Sequence, residues 1–213
     1  LKYLDIKFMI YKKDYIKNVD KIWRLNFINS VTGIKPANLI GSKSKKGKEN
    51  LAIFSSVVHL GSNPALLGFV IRPQHKKKSH TYLNIQETQY FTINSITKSF
   101  YQKAHLTSSK ILESEFDTFN IDKEYIEDFH APFVKNSPLK IGMRIENLVN
   151  LPNGCKFIIG SIELISIIDS HVDSAGKIDL DQSDIVGISG LNSYYSLSFL
   201  DYLPYVGNKN KIK

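Results

Sequence analysis

Small hydroxyls and cations, rather than acids or thiols, carry whatever chemistry this chain can do. Ser55 and Ser56 sit side by side inside Asn50–Val58, a run that is otherwise apolar and β-branched, with Asn50 at its mouth. An unpaired polar group buried in a strand costs about 1–3 kcal/mol. Hydroxyls on a strand that reads as core therefore point to a polar ligand lying against it. Beyond a dense turn, Gly61-Ser62-Asn63-Pro64, a second apolar run covers Ala65–Ile71. Arg72, Lys77, Lys78 and Thr81 follow it, and Ser79 is a good N-cap for a helix. Cations beside a helix N-terminus suit a phosphate. The two groups together predict a phosphorylated ligand, flat or apolar over the rest of its length. Taken lysine by lysine, an exposed loop explains the Lys76-Lys77-Lys78 run equally well.

Other chemistries find little support. The lone cysteine, Cys155, follows a Pro-Asn-Gly turn with no nucleophile signature around it. The six histidines show no metal-ligand spacing. His59 reads as structural, whereas His80 and His105 lie near hydroxyl residues and are candidate ligand contacts. There is no nucleophile elbow, P-loop or dinucleotide fingerprint. Asp122, Glu124, Glu127 and Asp128 read as the solvated face of a helix. A single cysteine excludes an intrachain disulfide and suits a reducing compartment. No apolar run is long enough to cross a bilayer, and the charged start, LKYLDIKFMIYKKDY, lacks the apolar core of a signal peptide. The expectation is a cytoplasmic protein without membrane attachment.

The net charge of +8 invites a nucleic-acid reading. Much of the excess sits in Ser42–Lys48, Gln74–Lys78 and Asn208–Lys213, and none of these interleaves aromatic residues as a base-stacking surface would. The first and last read as a solvated turn and a frayed terminus. No nucleic-acid partner is expected. The middle cluster directly follows the strands that carry the hydroxyls.

Elements must hold these groups in place. Val19, Ile22, Trp23 and Phe27 are spaced for an amphipathic helix over Val19–Ser30. Ala37–Gly41 and Asn50–Val58 read as a hairpin across the basic loop. Ser79–Glu87 predicts a short helix and Tyr90–Ile96 a strand. Ser99–Leu112 predicts a helix broken near Thr107-Ser108-Ser109. Asp117–His130 predicts another helix, capped by Asp122. Leu139–Ile145 alternates strictly, as a half-buried strand does. Cys155–Asp169 predicts a strand long enough to serve both halves of a bent sheet, and Ile185–Ser189 a last short one. The reading is a mainly β, antiparallel barrel with helical additions, one domain over residues 1–213. A helical extension covers 1–30, a helical insertion 97–130 and a basic tail 205–213.

The order of these pieces resembles the flavin reductase-like family, whose fold is the FMN-binding split barrel. NLAIFSSVVHLGSNPALLGFVIRP, then HTYLNIQETQYFTIN and AHLTSSK, carry the resemblance. It extends upstream through NFINSVTGIKPANLIGS and downstream through APFVKNSPLKIGMRIE, IIGSIELISII and GISGLNSYY. It implies an antiparallel split β-barrel, usually a homodimer, with FMN near the dimer interface and NADH or NADPH as co-substrate. It implies ring contacts from Asn50, Leu51 and Ala52 and hydroxyl contacts from Ser55 and Ser56. The phosphate end corresponds to Arg72, His80 and Thr81, with Pro73–Ser79 inserted between; Lys78 joins them on the charge reading. Asn84 and Ile85 fit the following helix, and Thr107 and Ser108 match a segment near the flavin. No catalytic side chain is implied, because the two cofactors carry the hydride between them. A non-catalytic flavin or haem carrier, or a sensor, on the same barrel is the alternative reading.

Overall fold

The computed structural model describes residues 7–75, 78–109 and 113–203. The expected tail 205–213 and Lys76–Lys77 lie outside the described residues. Two short helices come first, α1 (Lys13–Asn18) and α2 (Lys21–Ser30). Asp20 caps α2, its carboxylate accepting from the amides of Ile22 and Trp23, both at 2.9 Å. The apolar stripe of α2 turns toward its own neighbours: Trp23 stacks on Phe27 at 4.6 Å, and Tyr11 meets Phe27 at 5.1 Å. After β1 (Lys35–Pro36), β2 (Asn38–Lys43) and β3 (Glu49–Phe54) form the expected hairpin. A second hairpin joins β4 (Val58–Ser62) to β5 (Ala65–Ile71). Next come α3 (His80–Thr88), β6 (Tyr90–Ser95), α4 (Tyr101–Leu106) and α5 (Glu115–Thr118). The chain ends through β7 (Lys123–Glu124), β8 (Phe133–Val134), β9 (Leu139–Asn150), β10 (Lys156–Ile167), β11 (Val186–Ser189) and β12 (Ser193–Ser196).

Seven strands pair in the order β3-β2-β6-β9-β10-β5-β4, antiparallel throughout. β3 and β4 stand at opposite edges of that sheet, yet only Ser55, Ser56 and Val57 separate them along the chain. Four Cα steps reach about 14 Å, so the sheet must curl until its edges nearly meet. Ser56 pins the seam: its Oγ accepts from Val70 N at 3.0 Å and donates to Val70 O at 3.2 Å. β10 pairs with β9 over its whole length and with β5 over its first half. Register shifts at Ile159/Gly160 and Ile162/Leu164 bend it between the two. The result is a mainly β, antiparallel split barrel.

Two expectations need correcting. The apolar run Asn50–Val58 is not one strand; it breaks at Ser55–Val57, where the chain passes from one edge of the barrel to the other. Asp117–His130 is not a helix. α5 stops at Thr118, and Asn120 takes a left-handed φ of 50°, as does Glu127 at 49°. Asp122 caps nothing; its carbonyl accepts from Lys135 N at 2.9 Å, and Lys123–Glu124 pairs with Phe133–Val134 instead. Burial of Ile121 and Phe133 on that path outweighs the local helical spacing.

The barrel interior holds Ile40, Phe69, Phe91, Met143 and Ile158, with Ile85 of α3 packed among them. A second core, with Leu39, Leu51, Phe116 and Val186, joins α4, α5 and β11 to the barrel's outer side. β2 is therefore buried on both faces. A Cβ on its Gly41 would sit 2.3 Å from Pro132 O and 2.5 Å from Thr92 Oγ1. Thr92 already donates to that carbonyl at 2.7 Å. Gly41→Ala is expected to lower stability by about 2–3 kcal/mol, the usual cost of forcing volume into a packed core. Chemical denaturation measures it; a midpoint within error of the parent would mean the Pro132 loop can move away. Among the described residues no helix is long and apolar enough to cross a membrane.

Candidate functional site

β3 is an edge strand, so one row of its backbone groups faces outward. Leu51 N–H points off that edge and donates to Glu115 Oε2 at 2.9 Å, while the Leu51 side chain is buried in the outer core. Leu51 is thus fully buried, amide and side chain alike, and the surface beside it belongs to the half-buried Ala52. At the start of the strand, Glu49 is held by the Lys123 ammonium and by the Tyr125 hydroxyl, which donates at 2.6 Å. Burial, and then the bond to Glu49, raises the Tyr125 pKa above the usual phenol value.

Asn50 Nδ2 donates to Thr81 Oγ1 at 2.9 Å. This single bond ties the start of β3 to the first turn of α3. From the neighbouring strand, Ser42 of β2, the register partner of Asn50, accepts from Asn84 Nδ2 of α3 at 3.2 Å. Ser79 caps α3 as expected, its Oγ accepting from Tyr82 N at 3.3 Å. The amides of His80 and Thr81 belong to the first helical turn, where no carbonyl of the helix reaches them. Thr81 accepts from Asn50, and its own O–H meets no acceptor among the described residues. Arg72 and Lys78 are exposed beside this turn, and Lys78 Nζ lies 5.9 Å from the Tyr82 ring centroid.

Gln74 joins the strand end to the helix cap across the Pro73–Ser79 insertion. Gln74 Nε2 donates to Arg72 O at 2.7 Å, and Gln74 Oε1 accepts from Ser79 N at 2.8 Å and Ser79 Oγ at 3.2 Å. Bonds and chain together close a ring. It runs from Asn50 along β3 to Ser55 and Ser56, across to Val70, along β5 to Arg72, through Gln74 to Ser79, and back through Thr81. Asn50 and Ser55 are five residues apart, about 17 Å along an extended strand. Nine of the expected residues lie on or beside this ring: Asn50, Leu51, Ala52, Ser55, Ser56, Arg72, Lys78, His80 and Thr81. Ser56 has both hydroxyl functions engaged by Val70, which leaves one lone pair for a ligand.

Thr107 and Ser108 stand apart from that ring. They follow α4, which packs on β3, and their hydroxyls turn back onto it: Thr107 Oγ1 donates to Ala104 O at 2.7 Å and Ser108 Oγ to His105 O at 2.8 Å. His105 Nδ1 shares a hydrogen bond with the Tyr194 hydroxyl at 3.1 Å, and burial pushes the Tyr194 phenol up to about 12. His59 is exposed on β4.

Two residues that hold the ring together escaped the sequence reading. Gln74 lies in the insertion, and no local rule selects a glutamine that bridges a strand end to a helix cap. Glu115 is a carboxylate only 6% exposed, bonded to an amide 64 positions away. A charged residue ahead of a phenylalanine was its only local mark. Two clefts lie away from the ring, and of the candidate contacts only His105 lines either of them. One lies between the approach to β9 and the loop after β10, and the other is lined by Tyr101, His105 and Tyr194. The ring has one wall in a single chain, since β3 is unpaired on its outer side.

Comparison with known proteins supplies independent findings. The model of a family described as flavin reductase like domain matches residues 34–178. A protein from Shewanella frigidimarina, described as a flavin reductase with split barrel domain, is 44% identical. That match covers 92% of this chain and 99% of the other, with a TM-score of 0.88. Nitrilotriacetate monooxygenase component B from Bacillus cereus is 16% identical, covers 93% of this chain and 100% of its own, and gives a TM-score of 0.83. Flavoredoxin of Desulfovibrio vulgaris is 20% identical over 84% of this chain and 94% of its own, with a TM-score of 0.70. The last two likenesses are of fold alone. A search of curated proteins finds no match.

Proposed function

This chain belongs to the flavin reductase-like domain family, and from that premise we propose that it binds FMN within the β3–α3 ring and passes hydride to it from NADH or NADPH. The family is one of flavin-linked oxidoreductases. The observation that carries the finer reading is the Asn50–Thr81 bond. It brings the start of β3 and the cationic helix start to one place, as a ligand gripped at both ends requires.

The residues present suit that ligand. The first-turn amides of α3, the Thr81 hydroxyl and the Arg72 and Lys78 cations form a donor set for a phosphate. Ala52, half-buried on the edge strand β3, offers a small flat surface to a planar ring, with the buried Leu51 as its backing. Ser55 lies at the far end of that edge. Glu115 holds the edge in register by taking the Leu51 amide. Bound flavin supplies the redox chemistry, and the chain's part is to orient it and to leave one face open for a nicotinamide. We further propose that a second copy of the chain furnishes the missing wall, giving a homodimer, and that the single thiol suits a reducing, cytoplasmic setting.

The test uses the purified full chain. After incubation with FMN and desalting it is expected to remain yellow, and anaerobic mixing with NADH or NADPH is expected to bleach the oxidised flavin band. A colourless protein would remove the binding site. A yellow protein that neither nucleotide bleaches would be a carrier or sensor instead.

A further inference from the structure

A cleft of about 430 Å³ opens between the end of β6, the segment leading into β9, and the loop after β10. Its wall is polar, and its charges are unevenly matched. The one carboxylate in it, Asp184, is taken by Lys98 at 2.7 Å, and Lys140 is taken by Glu124 at 2.6 Å. Lys135 is exposed there and makes no ion pair among the described residues. Thr97 Oγ1 and Ser99 Oγ lie 2.7 Å apart. One hydrogen serves that bond, so the second hydroxyl hydrogen is left to point elsewhere.

His171 is held in a defined orientation. Ser183 Oγ donates its only hydrogen to Asp179 O at 2.8 Å, so the 2.8 Å bond between Ser183 Oγ and His171 Nδ1 must have the imidazole as donor. Nε2 is then the acceptor nitrogen of a ring that lines the cleft, able to take the remaining hydrogen of a monoanionic phosphate. An unmatched ammonium, an uncommitted hydroxyl hydrogen and a fixed imidazole line one cleft, in which Asp184 is held by Lys98 and the Asp179 carboxylate near His171 is occupied by Gln182.

We propose that this cleft binds a phosphomonoester, at a site separate from the β3–α3 ring. Two sources share that chemistry: the 2′-phosphate of a nicotinamide dinucleotide, or a free phosphate ester. The first rests on the reductase reading above; the second does not.

Calorimetry on the full chain, with adenosine 2′-monophosphate, inorganic phosphate and adenosine as probes, tests it. Both phosphate-bearing probes are expected to bind, and adenosine is not. Lys135→Glu is expected to weaken them by about tenfold or more, the scale of one lost charge-assisted bond. Lys135 is exposed and its amide bond to Asp122 O is main-chain, so the variant keeps the fold. His171→Phe should weaken them in the same direction. Tighter binding of the nucleotide than of inorganic phosphate identifies the dinucleotide source; equal binding identifies simple esters. Adenosine matching its 2′-phosphate, unchanged binding in Lys135→Glu, or displacement of the probe by FMN overturns the proposal. Flavin absorbance read on the same samples keeps the two sites distinct. A chain that takes the phosphate probes but no flavin loses the reductase reading alone.

Discussion

Thr81→Val is expected to weaken FMN binding by roughly 30- to 150-fold, about 2–3 kcal/mol, for loss of a hydrogen bond to a charged group. Valine matches threonine in shape but offers neither an acceptor to Asn50 Nδ2 nor a donor to a phosphate. Thr81 and Asn50 are 3% and 5% exposed, so water replaces the lost partner poorly. The melting temperature should fall as well, because the Asn50 amide is left buried and unpaired. Thr81→Ser separates the two effects: it restores the hydroxyl and should bring affinity back to within about threefold of the parent. Fluorescence titration with FMN gives both numbers. Equal affinities for parent and Thr81→Val would move the phosphate away from α3.

Phe69→Ala should produce the largest loss of stability, about 3–5 kcal/mol. Phe69 is fully buried on β5, with the Phe54 ring centroid at 5.0 Å and the Phe91 ring at 5.4 Å. It touches the last residue of β3 on one side and the middle of the sheet on the other. Truncation leaves a cavity at the seam where the barrel closes, and neighbouring strands cannot collapse into it without opening the Ser56–Val70 bonds. For a chain of this size the loss corresponds to roughly 6–20 °C in melting temperature. Calorimetric scanning reads it directly. A shift of only a degree or two would show that the barrel core bears little of the folding energy.

Local chemistry was legible because it acts between near neighbours. The Ser79 cap, the turn at Asn63-Pro64, the alternation from Leu139 and the length of the strand from Lys156 all follow from residues within a few positions of each other. The candidate site was legible in its parts for the same reason: hydroxyls on an apolar run, and cations ahead of a helix cap. The break at Ser55–Val57 left no such mark. The paired serines there read equally well as ligand contacts inside a strand, and only the curl of the sheet requires the chain to leave one edge for the other. The region after Asp117 misled for the opposite reason: its spacing favoured a helix, but pairing of Lys123–Glu124 with Phe133–Val134 buries more.

Composition and periodicity alone therefore determined that this is an antiparallel β protein with hydroxyls on one apolar run and cations before one helix. Tertiary structure decided that these two features meet, through Asn50 and Thr81, and that Gln74 and Glu115 hold them there. The physical reason is range. Caps and alternation are set by the backbone geometry of a few successive residues, whereas a bond spanning 31 or 64 positions exists only once the sheet has curled and its cores have packed.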